Sequence, residues 1–120
     1  MTLATLQKPT SRAADKVKDK AEKAKRLRAV QAFVDKRDKW QCRACGRRVS
    51  IGGGLMEHRA HRHHIAFRSK GGHDTTANIV LLCGIHHHEI HAYRMTVTGE
   101  ADGRLTFSVE GRKWFSDPPK

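Results

Sequence analysis

His63-His64-Ile65, then Asn78-Ile79-Val80-Leu81-Leu82-Cys83, then His86-His87-His88-Glu89-Ile90-His91 follow one another in the middle of the chain. The central segment is an apolar run of strand length, bounded by a turn residue and a cysteine. The segment before it, residues 62–67, predicts a second short strand. The segment after it predicts a short helix from His86 to about Tyr93, on which His87 and His91 stand four residues apart and share a face. All nine histidines fall between His58 and His91, leaving none in the first 57 or the last 29 residues. Histidine is the commonest neutral metal ligand and a frequent general base. Their crowding beside three cysteines points to metal chemistry.

The cysteines have metal-clip spacing. Cys42-Arg43-Ala44-Cys45 is followed by Gly46, which relieves the backbone of a tight knuckle, and Cys83-Gly84-Ile85-His86 repeats the spacing with histidine in the fourth slot. Two such pairs suit tetrahedral zinc, whereas an odd cysteine count fits a disulfide framework poorly.

Charge narrows the partner. The 120 residues carry a net charge of +12 and a pI near 10.3, so polyanions are attracted and nucleic acid is the default partner. The apolar fraction is 38%, which predicts a small core in need of a staple. No apolar run approaches the roughly 20 residues of a membrane span, and the first six residues are too short and polar for a signal-peptide core. The reading is a cytoplasmic protein without a membrane partner.

Three regions are expected. Residues 1–39 form a basic leader and helical arm, with residues 1–9 disordered as far as Pro9 and a cap at Thr10 or Ser11. Small or apolar residues then recur at 13, 17, 21, 24, 27, 30 and 34, which is helical spacing. The later ones, Leu27, Val30 and Val34, predict docking, and the alanine-rich half projects into solvent. This arm holds 12 lysines and arginines against 5 acids, a surplus of seven. Residues 40–94 form the metal-bearing core, with Gly52-Gly53-Gly54 a flexible connector and Ser69-Lys70-Gly71-Gly72 a turn. Residues 95–120 form a β-hairpin, Met95–Thr98 with Leu105–Val109, closed between Gly99 and Gly103 and ending in extended coil at Asp117-Pro118-Pro119. Trp40 and Trp114 are assigned to the core. His58, His61, His73 and His88 are read as ordinary histidines close enough to the site for nucleic-acid contact. His88 is a rival ligand to His87, but its spacing to His91 is less tidy.

Taken together, Cys42-x-x-Cys45-Gly46, His63-His64-Ile65 with Ser69-Lys70-Gly71-Gly72, Asn78-Ile79-Val80-Leu81-Leu82-Cys83 and His86-His87-x-x-x-His91 resemble a zinc-containing HNH nuclease over about 50 residues. The resemblance implies an α+β protein with a ββα-metal (His-Me finger) core, stapled by one structural zinc. It implies His64 as general base, His63, His87 and His91 as ligands of a catalytic divalent ion, and Asn78 as the residue that anchors the loop and orients His64. Cys42, Cys45, Cys83 and His86 then hold the zinc. The catalytic ion is Mg²⁺, Mn²⁺, Ni²⁺, Co²⁺ or Zn²⁺, and three nitrogen ligands bind the later transition metals tighter than Mg²⁺. His86 departs from the family, which often has cysteine there. His63 departs from members with an acidic residue there.

Phosphodiester hydrolysis needs an activated water, which a neutral imidazole serves, and charge stabilisation at phosphorus, which a divalent ion supplies. Adjacent strand residues point to opposite faces, so one of His63 and His64 can face the metal and the other the water. Surrounding positive charge should favour neutral His64. Arg62, Arg68 and Lys70 near the site, with Lys25, Arg26 and Arg28 on the arm, are candidate DNA contacts. The resemblance is to phage and bacterial proteins, which places the chain in a bacterial host cell and suggests a DNA-packaging terminase as partner. Three rivals stay open: a non-catalytic zinc-dependent DNA-binding protein, a nuclease or binding factor directed at RNA, and a protein-interaction adaptor that uses the long helix of residues 1–39.

Overall fold

The computed structural model describes residues 2–52 and 54–120, with side chains from residue 13 onward. The connector expected at Gly53 and the leader expected at Met1 lie outside the described residues.

Helix α1, Thr2–Arg37, opens the chain. The leader expected to be disordered is therefore helical from Thr2, so Thr10 and Ser11 lie inside the helix rather than at its start. Pro9 forgoes one backbone hydrogen bond, but the flanking Ala, Leu, Gln, Lys and Arg residues favour helix. The side chains from Ala13 to Arg26 are exposed, Leu27 and Val30 are half-buried, and Val34 is fully buried. So the helix docks by its last three turns and projects by the rest, which gives the molecule an extent of 69 Å along one axis and 27 Å across. It ends where Lys39 and Trp40 take left-handed backbone angles, φ 52° and 53°. These two residues swing the chain outward. Trp40 is consequently at the surface rather than in the core, with the Arg62 guanidinium 5.9 Å from its ring centre.

The knuckle follows. Cys42 N–H donates to Arg47 O at 2.8 Å and Gly46 N–H to Cys42 O at 2.7 Å. Strand β1 is Ala60–His64 and β2 is Ile79–Cys83, paired antiparallel with His63 opposite Val80 and His64 opposite Ile79. Every residue of β2 is buried, because α1, β1 and the helix after it all pack on this one strand. Helix α2, Gly84–His91, starts directly from β2 with the Cys83 sulfur accepting from the His86 N–H. The order β1–β2–α2 matches the expected two strands and helix.

The C-terminal region is a three-stranded antiparallel sheet rather than a hairpin: β3 Thr96–Gly99, β4 Leu105–Val109 and β5 Arg112–Ser116. Glu110 and Gly111 both have positive φ, the backbone of a tight two-residue hairpin turn, and this returns the chain as β5. Trp114 stacks on Phe107, and its Nε1–H donates to Ala44 O at 3.0 Å, so this tryptophan does join the core margin.

A buried ionic knot joins the parts. Asp38 is fully buried, accepts from Arg37 at Nε and Nη2 (2.9 Å each) and from Arg43 Nη1 at 3.0 Å, and also accepts the Leu81 N–H at 3.0 Å. Arg37 continues to Thr76 O and Ile79 O, and Arg43 to Ala101 O, Gly103 O and Ser116 O. The end of α1, the knuckle, β2 and the C-terminal sheet thus share one charged centre.

Candidate functional site

Two groups of potential ligands form on either side of β2 and α2. Single ligand atoms of Cys42, Cys45, Cys83 and His86 lie within 4.8 Å of one another. His86 Nδ1 is 3.7 Å from Cys42 Sγ and 3.2 Å from Cys83 Sγ. A tetrahedral zinc with bonds of about 2.3 Å to sulfur and about 2.0 Å to nitrogen requires sulfur–nitrogen edges of about 3.5 Å, which these distances straddle. The hydrogen bond from Cys42, assisted by the His86 N–H and ring, pushes the Cys83 thiol down, and the same shared proton raises Cys42. A thiolate is the form that binds metal. The three cysteines and His86 are compatible with zinc, and no disulfide competes for these cysteines.

The second group is His63, His87 and His91, again with ligand atoms within 4.8 Å. His63 projects from β1 and meets both helix residues, its ring centre 5.4 Å from each, while His87 and His91 are 4.5 Å apart. His88 is exposed and is not among the grouped ligand atoms. Burial, with the neighbouring imidazoles adding, pushes His63 down to about 4, and burial does the same to His87. Both are neutral at pH 7 and carry a lone pair. Nε2 of His63 is buried with no hydrogen-bond partner. An orphaned polar atom in such a place costs free energy unless something binds it, and three convergent nitrogen donors fit a transition metal.

Two aromatic neighbours escaped the sequence reading. Phe67 stacks on His91 at 5.4 Å and meets His63 edge-on, walling one side of the cluster. His61, taken as ordinary, stacks on His87 at 4.4 Å and 8°. Period two on β1 could have found it, since His61 and His63 share a strand face.

His63 and His64 diverge as strand alternation demands: His63 meets the helix, and His64 Nε2 lies 2.7 Å from Asp74 Oδ1. Both line a cleft of about 350 Å³ with Phe67, His87 and His91. Asn78, expected to orient His64, hydrogen-bonds to backbone rather than to the His64 ring. Its Oδ1 accepts the Ala66 N–H at 2.8 Å, and its Nδ2 donates to Ala66 O at 3.1 Å and His73 O at 3.0 Å. The amide therefore clamps the loop between the strands. Gly72 packs against the same clamp, for a Cβ there would lie 1.7 Å from Ala66 O. The only charge expected around His64 was positive, whereas the group on its ring is a carboxylate.

Of the candidate cationic contacts, Arg62 is held by a two-pronged ion pair to Asp35 of α1, with Nε–Oδ1 at 2.9 Å. Arg68 pairs with Asp74 and is half exposed. Lys70, Lys25, Arg26 and Arg28 are exposed. Arg26 and Lys23 face Arg68 across a groove of about 730 Å³ between α1 and the loop. No described helix is long and apolar enough to cross a membrane.

Residues 42–92, the span of both ligand groups, match the family model described as HNH endonuclease. No curated protein and no solved structure matches the chain.

Proposed function

We propose, from the match of residues 42–92 to the HNH endonuclease family model, that this protein is a metal-dependent endonuclease that hydrolyses DNA phosphodiester bonds with little sequence selectivity of its own. The observation that carries the reading is the three-histidine group beside a fourth histidine in one cleft. A zinc-binding fold alone has no use for it. In this reading β1, β2 and α2 are a ββα-metal core. Cys42, Cys45, Cys83 and His86 hold a structural zinc, and His63, His87 and His91 hold the catalytic ion.

That ion, when bound, supplies Lewis-acid stabilisation of the charge on the phosphate and the departing oxygen. The chain's own residues do the rest. His64 takes a proton from the attacking water, whose oxygen bonds to phosphorus as the bond to the 3′ oxygen breaks. The 3′ oxygen leaves with a proton from solvent, so the ends are 5′-phosphate and 3′-hydroxyl. Neutral His63 and His87 stay available as donors because burial opposes their protonation. Phe67 covers His91 and keeps water from that side. Asn78 holds the loop that carries the cleft wall.

The arm supplies grip. Residues 13–36 carry eight lysines and arginines, against Asp15, Asp19 and Glu22 as free acids, since Asp35 is buried in its pair with Arg62. Phosphate contacts set affinity without sequence information. With Lys25, Arg26, Arg28, Arg68 and Lys70 on the duplex backbone, binding weakens steeply with salt. Sequence choice then falls to a partner, for which a DNA-packaging enzyme in a bacterial host is the proposal.

The test is a supercoiled-plasmid assay on protein stripped of metal, with Mg²⁺, Mn²⁺, Ni²⁺ or Zn²⁺ restored, beside His64→Ala. Conversion to open-circle or linear DNA by the parent and not the variant supports the reading. Folded protein that binds DNA but fails to cleave it with any of these metals would move the reading to a zinc-dependent DNA-binding role. Faster cleavage of RNA would redirect the substrate.

A further inference from the structure

We infer that Asp74 is a positioning residue: its carboxylate holds His64 in the tautomer with the proton on Nε2, leaving the Nδ1 lone pair to take the proton of the attacking water. The inference deepens the nuclease reading and rests on it.

Three observations carry it. Asp74 Oδ1 lies 2.7 Å from His64 Nε2, and an ionised carboxylate can only accept, so the Nε2 must donate. Hydrogen bonds from His64 and Arg68 hold the Asp74 carboxyl below its usual range, which keeps it in that accepting form. Arg68 Nε–H donates to the same Oδ1 at 3.0 Å, so the oxygen rather than the rest of the side chain is fixed toward the ring. The loop explains how the acid comes to lie there. Asn78 binds both Ala66, two residues beyond His64, and His73, one residue before Asp74. It thereby brings the acid back onto the strand it left. Gly72 N–H donates to Phe67 O and permits the close return that a side chain there would block. The amide acts on His64 at one remove, through the aspartate it places.

A neutral imidazole in the other tautomer would present an N–H where a base is needed. General-base action is worth about 10²–10⁴-fold, so losing the tautomer preference forfeits part of that. Asp74 is 39% exposed at its side chain, so its replacement should leave the fold intact.

The experiment pairs two readouts on zinc-loaded protein. The first is ¹⁵N NMR of the histidine rings without the catalytic ion, with His64 assigned from His64→Gln. The parent should show His64 protonated on Nε2. Asp74→Ala should shift it toward the Nδ1–H form or a mixture, and Asp74→Asn should retain Nε2–H because Arg68 keeps an amide oxygen facing the ring. The second is plasmid cleavage, where Asp74→Ala should lower kcat at least tenfold with KM within about twofold, and Asp74→Asn should recover most of it. An unchanged tautomer in Asp74→Ala overturns the inference. So does a raised KM with unchanged kcat, which would make Asp74 a DNA-contact residue. A parent that fails to cleave with any metal, while Asp74→Ala still shifts the tautomer, would sink the nuclease reading and leave the hydrogen bond's role on His64 in place.

Discussion

Replacing Asp38 with alanine should cost more stability than any exposed charge in the molecule. Asp38 is fully buried and neutralises two guanidiniums whose side chains are themselves 9% and 1% exposed, those of Arg37 and Arg43. Without it, Arg43 loses its carboxylate partner and Arg37 keeps only its pair with the more exposed Asp102. Removing one partner of a buried pair costs about 3–5 kcal/mol, because the survivor keeps its desolvation penalty. The Leu81 N–H loses its acceptor too, at about 1–3 kcal/mol. The two losses overlap, so about 4–6 kcal/mol is expected, a large part of the roughly 5–15 kcal/mol that holds a domain. For a chain of this size that is a fall in thermal midpoint of about 15–25 °C. The assay is thermal or urea unfolding of zinc-loaded protein, with Asp117→Ala as comparison. Asp117 pairs with Arg104 at the surface, where both side chains are more than half exposed, and its loss should leave the midpoint nearly unmoved. A fall of less than about 5 °C for Asp38→Ala would refute the claim that this knot ties α1, the knuckle, β2 and the C-terminal sheet together.

Three other outcomes follow from the same geometry. Asn78→Ala removes three hydrogen bonds from the loop clamp and should lower plasmid cleavage by about 10²-fold or more with zinc content unchanged, measured by kinetics beside metal analysis; near-parent rates would remove the clamp from the mechanism. Protonation of His63 should oppose folding: its folded value of about 4 lies below the ordinary 6.5, so the unfolded chain binds the extra proton between those values and stability falls as pH drops from 6.5 toward 4. The slope is at most about 1.4 kcal/mol per pH unit for this one group, and urea titrations without the catalytic ion should show it diminished in His63→Gln. Chelating the zinc, or Cys45→Ser, should loosen the knuckle and expose β2 to hydrogen exchange, since Arg43 of that knuckle donates its N–H to Leu81 O; unchanged protection of residues 79–83 would show that the metal is not a staple.

The two ligand groups could be read from the chain because cysteine and histidine are rare and their spacing carries geometry. Cys42 and Cys45 on a turn, and Cys83 and His86 at a strand–helix junction, have one plausible convergence. The choice of His87 over His88 followed from helical period, and the structure groups His87 with His63 and His91. Acids carried no such signal. Asp35, Asp38 and Asp74 are three of twelve acidic residues, and nothing local marks the first two for burial or the third for contact with His64. Their partners lie across the fold, and only the folded chain brings them together. The third C-terminal strand was hidden for a related reason. Arg112-Lys113-Trp114-Phe115-Ser116 shows no alternation because β5 is an edge strand, largely exposed, paired on one side only with β4. Its turn, Glu110-Gly111, lacks the asparagine or aspartate that usually announces a tight hairpin.

The histidine on which the proposed chemistry turns joins these two kinds of information. His64 was identifiable because it follows His63 on a strand, but the atom that acts on its ring belongs to a residue ten positions away. Asn78 was singled out as an anchor, and its hydrogen bonds end on the backbone of Ala66 and His73 rather than on the imidazole. An amide is suited to that task since it offers both a donor and an acceptor, and the clamp needs an acceptor for Ala66 N–H and donors for two carbonyls. A carboxylate is suited to the other task, since it offers acceptors alone and so admits one tautomer of the ring it touches. Exchanging the two side chains would fail at both positions: aspartate at 78 would set a carboxylate against two carbonyl oxygens, and asparagine at 74 would hold the ring only as long as Arg68 kept its oxygen turned inward.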